Sequence, residues 1–254
     1  MMAIVGNYVS CILTAFVLNG GLYFQDFSIG FIIICLCLGV LFFLVFFAMG
    51  YASSHIGVGI ASASSKMSLI IPVLFGTLIL NESFDWIKIL ALIFAIVSVV
   101  LISYQPNSKL AFRYLLIPFL IFVGSGFIDT CLNLLQLHFS KHQLNKESAI
   151  ALIFMGAFIS ILLYISLTQI KVLKDKRSFA FGLLLGIPNY FSVYFLILAL
   201  GSGFLPSNHF YMINNTAIML CSFIAALILF KEKINYRKLI GIALAVVAIY
   251  LSVK

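Results

Sequence analysis

Residues 74–103 read LFGTLILNESFDWIKILALIFAIVSVVLIS, two apolar runs joined by a short polar turn at 81–85. The second run, 86–103, is close to the length that a helix needs to cross the roughly 30 Å hydrocarbon core of a bilayer. Its apolar residues are continuous rather than alternating, which favours a membrane helix over a strand of a transmembrane barrel. This stretch therefore predicts two spanning α-helices that are connected at the membrane surface.

The composition of the whole chain agrees with this reading. Of its 254 residues, 64% are hydrophobic and only 9% are charged, whereas soluble domains contain about 25% charged residues. A soluble fold of this size could not bury so much apolar surface, and a disordered chain would be far more polar. The formal net charge of +8 comes from basic residues in the gaps between apolar runs, which indicates lipid head groups rather than nucleic acid as partners.

The apolar runs predict an all-α fold, a polytopic transmembrane helical bundle of about nine helices. The predicted helices are 2–19, 30–51, 56–80, 85–104, 113–136, 148–169, 179–200, 205–230 and 236–253. The first run lacks a basic leader, so it is expected to span the membrane rather than to act as a signal peptide. The five cysteines lie inside apolar runs without metal-ligand spacing, and no metal site is expected.

A second polar turn repeats the first. Residues 225–252 read AALILFKEKINYRKLIGIALAVVAIYLS, in which Glu232 takes the place of Glu82. The two turns follow the third and the eighth predicted helices, and an odd number of helices separates them. Corresponding turns then lie on opposite membrane faces, which predicts an inverted internal repeat with four helices in residues 1–106 and five in residues 107–254. Both glutamates are expected to be helix caps or head-group partners rather than proton carriers.

These two segments, each a helix, a Glu-bearing turn and a final helix, resemble the EamA-like drug/metabolite transporter (DMT) superfamily. The resemblance is strongest at 56–104 and 205–253. It implies a permease of a bacterial inner membrane, not an enzyme, that needs no cofactor. Members of that family usually have ten helices, and residues 3–8 resemble the second of them, so the first helix is expected to be missing from this sequence. Either the start lies too far downstream, or the protein works without that helix.

Ionisable side chains inside membrane helices are costly and commonly functional. Lys66 lies in the middle of a predicted helix, and Asp129 lies four residues before Asn133, so these two share a helix face. In the repeat, Lys66 corresponds to Thr216. The structural alternative is that the charges snorkel to the surface or form a pair that only holds helices together.

A pseudo-two-fold axis between the halves would bring the polar clusters together near the bilayer midplane, where such repeats bind substrate. Tyr190 and Tyr194 are i, i+4 neighbours that follow Pro188, which is expected to interrupt the seventh helix. The predicted substrate site consists of Ser64, Lys66, Asn214 and Asn215, with Asp129 and Asn133 on an adjoining helix and Tyr190 and Tyr194 lining the cavity.

The functional prediction is a secondary transporter of small polar metabolites, amino-acid-like or drug-like, that works by alternating access. No nucleotide-binding or catalytic motif is present, so transport is expected to use an ion gradient or exchange, with a proton as a candidate coupling ion. The expected partners are a small-molecule substrate and membrane lipid. Two alternatives stay open, a membrane scaffold without transport and an intramembrane lipid-modifying enzyme that uses His138 and His142 of one loop.

Overall fold

A computed structural model describes residues 1–55, 58–82, 85–103, 116–142, 144–168, 176–230 and 236–253. Within these ranges all the regular elements are helices, and the predicted fold class, a bundle of membrane helices, is confirmed. The helical segments are α1 (Met2–Asn19), α2 (Ile29–His55), α3 (Val58–Met67), α4 (Ile70–Leu78), α5 (Trp86–Ser103), α6 (Leu116–His142), α7 (Lys146–Leu167), α8 (Lys176–Gly201), α9 (Ser207–Phe230) and α10 (Tyr236–Val253).

Five of these helices, α1, α2, α6, α7 and α8, are long and apolar enough to cross a bilayer, with mean hydropathies between 1.6 and 3.2. Their outer faces carry large apolar side chains such as Leu184 and Phe195, which are 68% and 58% exposed. In water such surfaces would aggregate, but in a bilayer they face lipid. The chain is therefore an integral, multi-pass membrane protein.

The predicted third helix is broken into α3 and α4 by the residues Ser68 and Leu69. Pro72 explains the position, because a proline lacks an N–H and its ring clashes with the carbonyl four residues earlier, that of Ser68. This carbonyl instead accepts from the Ile71 N–H at 2.9 Å. The Ser68 hydroxyl donates to the Ser65 carbonyl at 2.5 Å. Counted as one interrupted helix, α3 and α4 give nine described helices.

Pro188, in contrast, lies inside α8, and the helix continues through it. The expected interruption of the seventh predicted helix is therefore wrong. A membrane offers no water to replace lost backbone hydrogen bonds, so a helix is retained where neighbouring groups can satisfy the freed ones. Close to Pro188, the thiol of Cys11 on α1 lies 3.2 Å from the Gly186 carbonyl of α8.

The helices group into two compact units. Unit 1 comprises residues 1–46 and 131–202, and unit 2 comprises residues 47–130 and 203–254. Each unit takes residues from both predicted repeat halves, and α2 and α6 contribute to both units. The predicted boundary between the halves, at 106, and Glu232 of the second turn lie outside the described residues, so the inverted repeat stays a prediction.

Unit 1 is built on close helix crossings. α1 packs against α7 and α8, and α2 crosses α7 at a pair of glycines, Gly39 and Gly156. A side chain on either glycine would collide with the backbone of the other helix. Small residues at such crossings allow the dense van der Waals contact that holds membrane helices together.

Unit 2 contains the helices that contribute to the candidate site. α5 packs against α10, while α9 packs against α3, α4, α5 and α10. Ala52, Ala61 and Ile121 form a small buried cluster of α2, α3 and α6. This arrangement brings the end of α3, the first part of α6 and the first turns of α9 into one region.

Candidate substrate site

The position of α9 in unit 2 is set by Glu82. One oxygen of its carboxylate accepts from the N–H and the hydroxyl of Ser207 at 2.7 and 2.8 Å, and the other accepts from the N–H of Asn208 at 2.9 Å. The first N–H groups of a helix have no partner within the helix and carry partial positive charge. Glu82 is therefore a cap for the start of α9, contributed by the segment that follows α4.

Lys66 lies near the end of α3, where its half-buried ammonium group donates to the side-chain oxygen of Asn215 on α9 at 3.5 Å. Asn215 is only 4% exposed, and its amide N–H donates to the backbone carbonyl of Tyr211 at 3.3 Å. The structure thus brings together one lysine and one asparagine of the predicted site. Thr216, the predicted repeat counterpart of Lys66, is buried, and its hydroxyl donates to the Met212 carbonyl of its own helix.

Helix α6 completes this region with Ser125 and Asp129. The Tyr211 hydroxyl donates to the backbone carbonyl of Asp129 at 2.6 Å, and the Ser125 hydroxyl donates to that of Ser65 at 3.3 Å. The Asp129 carboxylate interacts electrostatically with Lys66. We call this set the Lys66 cluster: Ser65, Lys66, Ser125, Asp129, Tyr211 and Asn215.

The Lys66 cluster combines a cation, an anion and neutral hydrogen-bonding groups in a region shielded from bulk water. Charges interact more strongly where the local dielectric constant is low, and Lys66 and Asp129 are both half-buried. Lys66 can bind an anionic group and Asp129 a cationic one, while Asn215 offers both a donor and an acceptor. The same arrangement could also act only as a pair that joins α3, α6 and α9.

The other five predicted site residues are not members of the Lys66 cluster. Ser64 and Asn214 are half-buried on α3 and α9, and it is Asn215 rather than Asn214 that lies against Lys66. The remaining three belong to unit 1: Asn133 on α6, and Tyr190 and Tyr194 on α8. The rings of the two tyrosines stack with centroids 5.9 Å apart.

Ser125 and Tyr211 are cluster members that the sequence reasoning missed. Each lies four residues before a predicted site residue, Asp129 and Asn215 respectively, and therefore on the same helix face. That spacing is the signal that could have identified them. No sequence feature indicated that the Tyr211 hydroxyl would bond to a backbone carbonyl of another helix.

Two surface grooves lie in unit 1, and neither includes a predicted site residue. One, of about 380 Å³, runs along α1 and α8, and the other, of about 240 Å³, lies between α2 and α6. Their walls are almost entirely apolar, as expected for surfaces that contact lipid chains. His138, at the second groove, and His142 lie on the last turns of α6 rather than in a loop, with ring centroids 4.4 Å apart.

Comparison with known proteins shows that part of the chain is similar to a family of transporters. The model of the EamA-like transporter family matches residues 135–254. An uncharacterized protein of Haemophilus influenzae is 27% identical over 221 residues, which cover 85% of this chain and 74% of that protein. A protein of known crystal structure is similar over 99% of this chain and 87% of that chain, with a TM-score of 0.75 and 14% sequence identity. This last likeness concerns the fold alone. The resemblance to EamA-like transporters that the sequence indicated is thereby confirmed, over residues 135–254.

Proposed function

We propose that the protein is a secondary transporter of small polar solutes and that the Lys66 cluster binds the solute. The matched family consists of transporters, and the chain is a multi-pass membrane protein. The contact between Lys66 and Asn215, with Asp129 as the second charge, is the observation that carries the proposal. Ionisable groups inside the membrane are costly, and a purely structural contact between helices could be made by apolar residues instead.

The cluster suits solutes that carry charge of both signs. A carboxylate or phosphate would bind Lys66, and an ammonium group would bind Asp129. Amino-acid-like molecules combine the two groups within a few ångströms, and many drug-like molecules carry one of them. The solute class is therefore a small polar metabolite, amino-acid-like or drug-like.

Alternating access needs elements that can rearrange next to the bound solute. The break between α3 and α4 immediately follows Lys66, and interrupted helices line the substrate sites of many secondary transporters. Since the sequence has no nucleotide-binding motif, we assign the driving force to an ion gradient or to exchange, with the proton as the candidate ion.

The test is solute flux into proteoliposomes that contain the purified full chain, with a panel of labelled amino acids and nucleotide precursors. Lys66→Ala is expected to abolish flux, and Lys66→Arg to retain part of it. The matched control is Lys141→Ala, since Lys141 is exposed at the end of α6. Flux in the presence and absence of an imposed pH gradient separates proton coupling from exchange.

Two results would contradict this proposal. A membrane scaffold predicts no flux of any panel member above that of empty liposomes. Normal flux in a folded Lys66→Ala variant would leave transport intact but remove the Lys66 cluster as the binding site.

A further inference from the structure

The groove between α2 and α6 in unit 1 has apolar walls and one polar end. It has a volume of about 240 Å³, and the residues that line it are Phe31, Ile34, Cys131, Leu134, Leu135 and His138. On α6 these residues follow the spacing i, i+3, i+4 and i+7, which defines one face of a helix. His138 is the member of this set nearest the end of α6, so an imidazole lies at one end of an apolar channel. We call this channel the α2–α6 groove.

Aromatic packing holds this imidazole in place. The His138 ring stacks on the Phe31 ring, with centroids 5.2 Å apart and an interplanar angle of 19°. The Phe31 ring in turn packs edge-on against Phe27 and Phe139, at 5.0 and 6.0 Å. One turn further along α6, the His142 ring lies 4.4 Å from that of His138. The groove therefore ends at two adjacent imidazoles, which we call the histidine pair.

The histidine pair has hydrogen-bonding groups available for a ligand. Both side chains are exposed, and neither forms a hydrogen bond or an ion pair with another described residue. A neutral imidazole offers one N–H donor, and a protonated one offers two. A phosphate suits the pair, because hydrogen bonds to an ionised acceptor are strong and a protonated histidine is favoured at the end of a helix.

The histidine pair lies at the level of the lipid head groups. Helix α6 has 27 residues and is therefore about 40 Å long, whereas the hydrocarbon core is roughly 30 Å thick. Polar residues continue beyond His142, since Asn145 exchanges side-chain hydrogen bonds at 3.3 and 2.9 Å with Asn19, the last residue of α1. The α2–α6 groove consequently runs from this polar level into the hydrocarbon.

The groove also opens toward lipid. Ile34 and Leu134, one on each wall, are 56% and 44% exposed. An apolar partner helix would cover these walls but would leave the two imidazoles without an acceptor. A glycerophospholipid provides both parts in one molecule, an acyl chain for the apolar walls and a phosphate at the level of the head groups.

We propose that the α2–α6 groove binds one acyl chain of a glycerophospholipid, and that the phosphate of this lipid accepts N–H groups of His138 and His142. The site belongs to unit 1 alone and lies apart from the Lys66 cluster. It does not depend on the proposed transport function.

The phosphate contact is tested by native mass spectrometry of the delipidated full chain. Dioleoylphosphatidylglycerol is expected to bind several-fold more tightly than dioleoylglycerol, which has the same chains and no phosphate. The double variant His138→Phe/His142→Phe keeps both rings but removes their N–H groups, and should abolish this preference. Lys141→Ala is the control, since Lys141 is exposed beside the pair but does not line the groove. A preference that survives in the double variant, or that is lost equally in the control, would overturn the histidine contact.

The apolar part of the site is tested by filling the groove. Ile34→Trp places a large ring in it and is expected to weaken binding of both lipids several-fold. Ile33→Trp is the matched control, because Ile33 is similarly exposed, at 54%, but is not part of the lining. Equal binding by the two tryptophan variants would overturn the groove as the site of the acyl chain.

The position of the lipid is mapped with a phosphatidylglycerol that carries a photoreactive diazirine on one acyl chain, in liposomes that contain the full chain. Crosslinked peptides are expected to include Ile34 or Leu134. The larger groove along α1 and α8 is the internal control, because its lining contains no cationic side chain. Equal labelling of the two grooves would show only the lipid that surrounds any membrane protein, and would overturn the proposal.

Discussion

The carboxylate of Glu82 accepts the backbone N–H of Ser207 at 2.7 Å, and this bond anchors the first turn of α9. Asn215 lies about two helical turns further along the same helix. A shift of α9 along its axis would therefore move Asn215 past Lys66, which lies 3.5 Å away. Within unit 2, the cap at Ser207 thus sets the register of the Lys66 cluster.

Glu82→Gln is expected to destabilise the protein. The substitution removes the negative charge at the start of α9 and places an amide N–H against the N–H of Asn208. Hydrogen bonds to charged groups contribute about 1.5–3 kcal/mol, so a loss of that order is expected. Thermal unfolding in detergent, followed by circular dichroism, measures the effect.

Asp26→Asn is the control for Glu82→Gln, since Asp26 is an exposed carboxylate of the loop before α2. Exposed charges contribute between about 0 and 1 kcal/mol. Equal Tm values for the two variants would show that the cap on α9 contributes no more than an exposed charge.

Gly76→Ala is expected to disturb the same cap from the other side. A Cβ atom at this position would lie 2.5 Å from the Glu82 carboxylate and 2.9 Å from the Ser207 hydroxyl oxygen. The carboxylate must then move away from the start of α9. The loss of stability should therefore be strongly non-additive with that of Glu82→Gln in a double-mutant cycle.

The matched control for Gly76→Ala is Gly50→Ala on α2, where a Cβ atom meets nothing within 4 Å. Alanine is favoured over glycine in a helix by up to about 1 kcal/mol, so this variant should be neutral or stabilised. Additive losses for Gly76→Ala and Glu82→Gln would mean that Gly76 acts independently of the cap.

Gly156→Ala is expected to separate α2 and α7 in unit 1. The new Cβ atom would lie 2.9 Å from the Cα atom of Leu36, and backbone cannot yield as a flexible side chain does. Overpacking of this kind costs about 1–3 kcal/mol. Gly30→Ala, on α2 and with no atom within 4 Å of the new Cβ, is the control in thermal unfolding. A Gly156→Ala protein as stable as its control would contradict the close crossing.

The sequence predicted most of the helices because their signal is local. Length and continuous apolar character decide whether a segment such as 179–200 can span a bilayer, and both can be read without tertiary contacts. Lys66 could be predicted as a site residue for the same reason, since a charge within an apolar run is conspicuous. The predicted repeat, which aligns residues 64–66 with residues 214–216, also indicated the polar pair on α9 that includes Asn215.

The remaining features depend on contacts between distant segments. The sequence of the turn around Glu82 does not indicate that Ser207 is its partner, because 125 residues separate the two in the chain. Pro72 and Pro188 look alike in sequence, yet the helix breaks only before Pro72. Tyr8 resembles any membrane-interface tyrosine until the structure shows its hydroxyl buried without a described partner.

Two variants distinguish a structural from a functional role for the charges of the Lys66 cluster. Lys66→Met leaves the Asp129 carboxylate without its nearby cation, so it should destabilise the protein. The loss should be smaller than the roughly 3–5 kcal/mol seen for fully buried pairs, because both residues are half-buried. The double variant Lys66→Met/Asp129→Asn removes both charges and should recover most of the lost stability.

Flux in the double variant then decides between the two roles. If the charges bind solute, stability returns while transport stays absent, since no charged group is left to hold the solute. If they only join α3 and α6, stability and transport return together, which would contradict the proposed site. Tm and proteoliposome flux are measured on the same preparations, with Lys141→Met as the control for loss of an exposed lysine.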